Sequence, residues 1–519
     1  MPLSRRLAIQ ASVGALASTA VGRFPANAAT ETTVQDTRQP GPPVRPDSCW
    51  VNLNRPQRYA FMKQADLVGR TRFPVLDTRQ VHDAREIELI FHEVEKHDGP
   101  VLTADPRLES GVSLYGSVHV DGDRLRMWYQ PSQADNPGNP YDVAYAESQD
   151  GIHWDRPELG LVQRRGTRKN NLVNFYGHGP SVMDLGPDPE RGFRYVAIAV
   201  GWPPKLKIPA LTSDPRTRRL SSYWAYHSQD GLRWQLFPVP RCAVLPNMSD
   251  TAAFIHDPYR DRLLGSVKLE PRIGLFDRRS ITISTARTSD PTTWDPCRLA
   301  LFPDELDDQM AQDRGARFAE FYGMGLLAQR DLLFGFLEVY QPTGDLHPSQ
   351  APGVRLGYHG KSEVQLAYSY DGFAWQRSRP RDPLIPVGKT GEWDDGFLTA
   401  QSSIIEWRDH VWIYYSGYRL GHSNVGGPGG ALRRKIGLAR VKRDRFASFY
   451  ARHNGLVDIY HGRPEGRRLL INSRSKGQGG VRVEVLENDK VLAGFSRDDC
   501  RVLAGDHLRQ EVRWGDRSW

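Results

Sequence analysis

The sequence predicts an all-β chain: a five-bladed β-propeller followed by a small β-sandwich-like module at the C-terminal end. Two observations predict it. The first is the motif S-x-D-G-x-x-W, found as Ser148–Trp154, Ser228–Trp234 and Ser369–Trp375, with a degenerate copy at Thr288–Trp294. Its aspartates, Asp150, Asp230, Asp290 and Asp371, are irregularly spaced, as expected when loops of differing length separate similar units. The second is an apolar or aromatic-rich strand that recurs five times, at Leu125–Tyr129, Arg194–Ile198, Arg262–Ser266, Leu332–Phe336 and Val411–Tyr415. Each is preceded by another strand and a turn containing Asp or Gly, and no helical periodicity intervenes.

Taken in chain order, residues 1–28 read as a twin-arginine export signal. Ser4-Arg5-Arg6-Leu7-Ala8 is followed by a mild apolar run, Ala11 to Gly22, and by the small-residue site Ala26-Asn27-Ala28. The expected destination is periplasmic or secreted. The run is too short to span a bilayer and no later stretch is long enough, so membrane insertion is not expected. Residues 29–48 are a polar, proline-rich linker and 49–100 an N-terminal arm. The propeller occupies 101–450. In each copy the alternating strand runs into Asp-Gly, whose carboxylate caps local N–H groups while Gly accepts positive φ, and the Trp packs the returning strand. The fifth unit lacks the motif around Leu438 to Arg445. Residues 451–519 form the C-terminal module, from alternation at Leu469–Asn472 and Val481–Val485.

Composition narrows the function classes. The 69 basic residues exceed the 61 acidic ones by 8, a margin that falls to 5 without Arg5, Arg6 and Arg23 of the signal. The basic residues are scattered among acids, so nucleic acid is not an expected partner. Cys49, Cys242, Cys297 and Cys500 are widely spaced, which leaves no zinc or redox motif and suggests buried thiols.

With these repeats on the page, the chain resembles the invertase and arabinanase-like clan of glycoside hydrolases, families 32 and 43. Trp154-Asp155-Arg156-Pro157-Glu158-Leu159-Gly160-Leu161 is similar to the proline-rich loop after the S-x-D-L-x-x-W run of invertase-type enzymes, and the C-terminal module resembles their accessory sandwich. The resemblance implies an exported glycoside hydrolase that cleaves a terminal glycosidic bond with a carboxylate pair in the propeller channel. Its expected partner is a carbohydrate substrate, and no cofactor is expected beyond a structural Ca2+ that such a channel could hold.

Propeller sites gather where the first strand of each blade begins. In Asp250-Thr251-Ala252-Ala253-Phe254-Ile255-His256-Asp257-Pro258, Asp257 sits in the turn and Asp250 starts the strand, which is similar to the D-P-x-x-F-x-D of family 43. The same backward step lands on Leu114, Gly177, Tyr322 and Gln401 in the other units. Glycosidic hydrolysis needs two carboxyl groups. The clan's order of base or nucleophile, stabilising Asp and acid Glu implies Glu109, Asp250 and Glu320 as the catalytic residues. His178, Tyr322, Gln401 and His422 are expected on the same face as substrate-binding groups. Trp393, beside Glu392, Asp394 and Asp395, is expected to stack on a sugar. Two alternatives stand beside this reading: a non-catalytic propeller that binds carbohydrate or protein, and a sialidase-like or phosphorolytic enzyme, which would need an anion site.

Overall fold

A computed structural model describes residues 5–12, 73–132, 141–201, 222–246, 248–270, 272–273, 276–343, 360–377, 381–419, 421–422, 434–462, 466 and 468–519. Cys49, the linker 29–48, the first part of the arm and the signal beyond Ser12 lie outside the described residues. The chain divides into two compact units, Glu93–Lys442 and a second formed by Met1–His92 with Arg443–Trp519. Among the described residues the one α-helix is Glu305–Asp313, and everything else regular is strand apart from a short 3-10 turn. No helix is long and apolar enough to cross a membrane among the described residues.

The larger unit is a succession of antiparallel meanders, the last two joined into one nine-stranded sheet by a parallel pairing of Ser362 with Phe397. The first runs Gly111–Asp121, Arg124–Ser132, Asp142–Ser148 and Leu172–Tyr176. The second begins with His178–Asp184 and Tyr195–Gly201, the third with Ala252–Asp257 and Arg262–Leu269, and the fourth with Glu320–Ala328 and Leu333–Pro342. The fifth has a first strand broken into Phe397–Ala400 and Ile405–Trp407, then His410–Tyr418 and Arg434–Lys442. Its outer partner is Glu95–Lys96, which precedes the first meander in the chain. A third-to-fourth strand turn is therefore not needed there, which is why the S-x-D-G motif is missing from the fifth unit. The first strands neighbour one another in turn, the last returning to the first, so the arrangement is propeller-like and closed.

The repeated motif does two jobs. Within each turn the serine hydroxyl accepts from the glycine N–H, 2.8 Å in Ser148–Gly151, and the aspartate caps the next two amides, both 2.8 Å in Asp150. Between meanders, the turn docks on a neighbour's second strand. Gly151 at φ +78° lies against Trp412 and Tyr414, and a Cβ there would sit 2.6 Å from the Trp412 ring. Gly231 meets Trp128 and Arg126 in the same way, with Trp128 Nε1 donating to the Gly231 carbonyl at 2.7 Å. Buried aromatics such as Trp128, Trp224 and Tyr414 fill the space between sheets.

The smaller unit is a five-stranded sheet in the order Val81–Arg85, Gly455–Gly462, Arg5–Ser12, Gly480–Glu487, Lys490–Val491. It differs from the module expected at 451–519 by taking strands from the N-terminal side, including Glu88–Phe91 paired with Ala447–Tyr450. Arg5–Ser12, the segment with the paired arginines, is hydrogen-bonded on both edges, and Ile9 packs against two apolar clusters. Pairings across several hundred residues leave no local signature, which is why alternation alone placed only the C-terminal strands.

Candidate functional site

The first strands of four meanders bring polar side chains to one place. Asp250 immediately precedes Ala252–Asp257. The strand beside it contributes Lys268, whose Nζ donates to Asp250 Oδ1 at 2.6 Å. The lysine side chain is 3% exposed and the aspartate side chain 49%, so the cation lies beneath an acid that faces outward. Burial pushes the Asp250 carboxyl up, but the charge of Lys268 and its hydrogen bond outweigh it and hold the group well below the usual carboxylate range.

His178 opens the second meander. Its Nδ1 lies 3.0 Å from the Asp250 carbonyl oxygen, which can only accept, so the proton belongs on Nδ1 and Nε2 carries the lone pair. Burial lowers the imidazole pKa against the pull of Asp250. Tyr115 of the first meander and Tyr141 flank it, with ring centroids 5.0 and 5.6 Å away.

Tyr322 is supplied by the fourth meander, at a register shift between Phe321 and Gly323 that re-aims the side chain. Its ring lies 4.4 Å from Lys268 Nζ and its hydroxyl 3.0 Å from His422 Nε2. Phe397, Tyr340 and Tyr418 pack with it into a buried aromatic cluster, and Tyr115 packs against that cluster. Arg279 adds a guanidinium 5.6 Å from the Tyr322 ring and 5.4 Å from that of Tyr340. Asp250, His178, Tyr322 and His422 are thus joined by a continuous chain of contacts. The arrangement offers one outward carboxylate with tyrosine and histidine groups around it, which can orient hydroxyl-bearing ligands and stabilise positive charge.

The other expected residues stand elsewhere. Glu320 is buried and ion-paired with Arg279, whose backbone N–H also donates to Glu320 Oε1 at 3.1 Å. It reaches the cluster only by holding that arginine. Glu109 lines a separate pocket with Arg107, Pro131, Arg164 and Asn170, none of which belongs to the Asp250 group. Arg156 lies 3.0 Å from its Oε1 and the Asp105 N–H donates to it at 3.1 Å. Burial raises its pKa to about 7 against the pull of Arg156. Gln401 is fully buried, its amide donating to the Ser403 carbonyl and its oxygen accepting from Tyr414 N–H at 3.0 Å, so its side chain ties together the broken first strand of the fifth meander. Trp393 lies over Gly417 and Gly437 and stacks on Tyr415 at 5.7 Å, an internal packing role.

Counting back from the first turns landed on Asp250 and Tyr322 and fell one residue short of Tyr115 and His178. Lys268 and Glu338 were missed. Lys268 is the one charged residue after the opening Arg262 of RLLGSVKL, Glu338 is the one charged residue of LFGFLEVYQP, and that was the available signal. Cys242 and Cys500 are buried and Cys297 is partly buried. No cluster of three or more metal-ligating side chains occurs among the described residues.

No family model matches the chain and no curated protein does. Similar solved structures include one described as a glycoside hydrolase, at 14% identity over 67% of this chain and 92% of that one, with a TM-score of 0.43. A second is described with the GH130 family of mannoside phosphorylases, containing glycoside hydrolases that target β-1,2 mannosidic linkages in Candida mannan; it has 13% identity, covers 68% and 95%, and has a TM-score of 0.43. A β-1,2-mannobiose phosphorylase from Listeria innocua has 11% identity, covers 68% and 97%, and has a TM-score of 0.40. The one family named is 130, neither 32 nor 43, and at these scores none of the three carries the chemistry of this chain.

Proposed function

We propose that this chain is a carbohydrate-active enzyme with its site at the mouth of a five-bladed propeller, and that it cleaves a terminal glycosidic bond over Asp250. The observation that supports this reading is the half-exposed Asp250 carboxylate, kept ionised by a buried lysine and surrounded by His178, Tyr115, Tyr141 and the Tyr322–His422 pair. An ionised carboxylate there is suited to stabilising charge at the anomeric carbon, attacking it, or activating water. Imidazole and phenol groups are suited to holding sugar hydroxyls, and aromatic faces to stacking on the ring.

Glu109 and Glu320 were the candidates for the second carboxyl of the pair. Both are buried and bound to arginine, and this favours the second reading, a carbohydrate-binding propeller without turnover. The two readings separate on a panel of aryl glycosides and oligosaccharides tested with the wild type and Asp250→Asn. Turnover that falls by about 10²–10⁴ in the variant supports the enzyme. Binding without turnover in both proteins overturns it in favour of the second.

Export by the twin-arginine route belongs to the same proposal, on the order of arginine pair, apolar run and Ala26-Asn27-Ala28. Cleavage there would remove the strand Arg5–Ser12 from between Gly455–Gly462 and Gly480–Glu487. The intact mass of the protein recovered from the periplasm or medium tests it: a chain starting at Ala29 supports processing, and a cytoplasmic chain that keeps Arg5 and Arg6 contradicts it.

A further inference from the structure

The site contains a second carboxyl that no substrate can touch. Glu338 stands on the second strand of the fourth meander, paired with Gly323 of the first. Because Gly323 has no side chain, the carboxyl lies over it. A Cβ at Gly323 would be 2.6 Å from Glu338 Oε2 and 3.2 Å from the methyl of Thr251, the residue after Asp250. Oε1 accepts from the Ala400 N–H of the fifth meander at 2.8 Å. Glu338 therefore reaches across the first strands of the third, fourth and fifth meanders, and it is only 3% exposed.

Among the described residues Oε2 has no hydrogen-bond partner. A buried carboxylate with one donor and one unsatisfied oxygen is costly, whereas the neutral acid leaves only a polar group to be accommodated. The ionisable groups that face Glu338 are Lys268, from the neighbouring meander, and Tyr115, from the first. Gly323 and the Ala400 amide face it from the remaining strands. Lys268 is the same ammonium that donates to Asp250, and its backbone N–H is bonded at 2.9 Å to the carbonyl of Thr251, the residue whose methyl faces the same glycine as Glu338.

We propose that Glu338 is a positioning residue for Asp250 and acts through Lys268: with its proton in place it leaves the ammonium wholly to Asp250, and without it a second negative charge pulls on that cation from within the core. Burial raises the Glu338 pKa to about 8, with the Ala400 hydrogen bond and Lys268 pulling the other way. Deprotonation therefore falls on the alkaline side of neutrality. There Asp250 loses part of the charge that holds it ionised and oriented. The inference rests on the reading of Asp250 as the reacting carboxylate.

Two measurements on the wild type and Glu338→Gln test it. The first follows the carbon-13 signals of the Asp and Glu side-chain carboxyls against pH, with the Asp250 signal assigned by its absence in Asp250→Asn, and needs no substrate. In the wild type Asp250 should shift with a midpoint near 8 that is absent in Glu338→Gln, whose neutral amide cannot titrate. The second is the pH profile of kcat/KM on whichever glycoside is turned over. Its alkaline limb should move by at least one pH unit in Glu338→Gln. A merely structural glutamate would change the melting temperature and leave both profiles where they were. An Asp250 signal with the same alkaline midpoint in both proteins overturns the inference. Absence of turnover overturns the proposed function instead, and leaves the carboxyl titration to decide the role of Glu338.

Discussion

Asp250 with Lys268 and Glu109 with Arg156 are the same kind of pair built in opposite senses. At Asp250 the cation is buried and the acid faces out, with side-chain exposures of 3% for lysine and 49% for aspartate. At Glu109 the acid is buried and the cation lies further out, 3% against 22%. The consequence is opposite protonation behaviour. Asp250 is held below the usual range, while Glu109 rises to about 7. Desolvation raises both acids. At Asp250 the buried ammonium and its 2.6 Å hydrogen bond outweigh it, whereas at Glu109 the pull of the more exposed Arg156 does not.

The largest effect that separates the two pairs is on turnover. Asp250→Asn should cost about 10²–10⁴ in kcat/KM, whereas Glu109→Gln should leave kcat/KM within a few-fold. Equal losses in the two variants would break the comparison. Next in size is the buried Arg279–Glu320 pair. Replacing Glu320 by Gln leaves a buried guanidinium with its main counter-charge gone and should destabilise the chain by about 3–5 kcal/mol, read from denaturant midpoints. Glu320→Gln that unfolds like wild type would remove the assignment of Glu320 as the holder of Arg279.

Glu109 gives a pH signature of defined sign. Its folded pKa, about 7, lies above the value near 4.3 expected for an unfolded glutamate, so the stability tied to its proton is complete below about pH 4 and is lost as pH rises through 7. Glu109→Gln should therefore gain on the wild type as pH goes from 5 to 8, by up to about 3 kcal/mol and less to the extent that Arg156 screens the charge. A difference between the two proteins that does not change with pH would contradict the buried-acid assignment. The smallest effect is expected at Trp393. Trp393→Phe keeps an aromatic ring against Tyr415 and should cost about 1 kcal/mol of stability without changing sugar affinity. A tenfold loss of glycan binding would return this residue to the surface role its neighbours suggested.

The architecture was legible because its turns are built from chemistry that sequence displays. Asp150, Gly151 and their counterparts are required by the cap and by positive φ, so they recur in order. Strand beginnings were legible to within about four residues, since the step back from each turn is short. Tyr115 was missed by one residue because the register shifts between Ser113 and Ser117, and Gln401, expected at the site, instead ties together the broken first strand of the fifth meander. Lys268 and Glu338 lie inside second strands, where the pattern reads as core and only the pairing with Asp250 and Gly323 shows what they serve. The sheet that includes Arg5–Ser12 was invisible for a different reason. Its neighbours are more than 400 residues away, and the same apolar run fits a signal segment.

The account depends most on Asp250 being the carboxylate that meets the substrate. The most direct test measures turnover of the glycoside panel by wild type and Asp250→Asn side by side, with glycan affinity determined for both. Retained affinity with turnover lost only in the variant is the predicted result. Turnover unchanged in Asp250→Asn would contradict the account and move the chemistry to another part of the molecule.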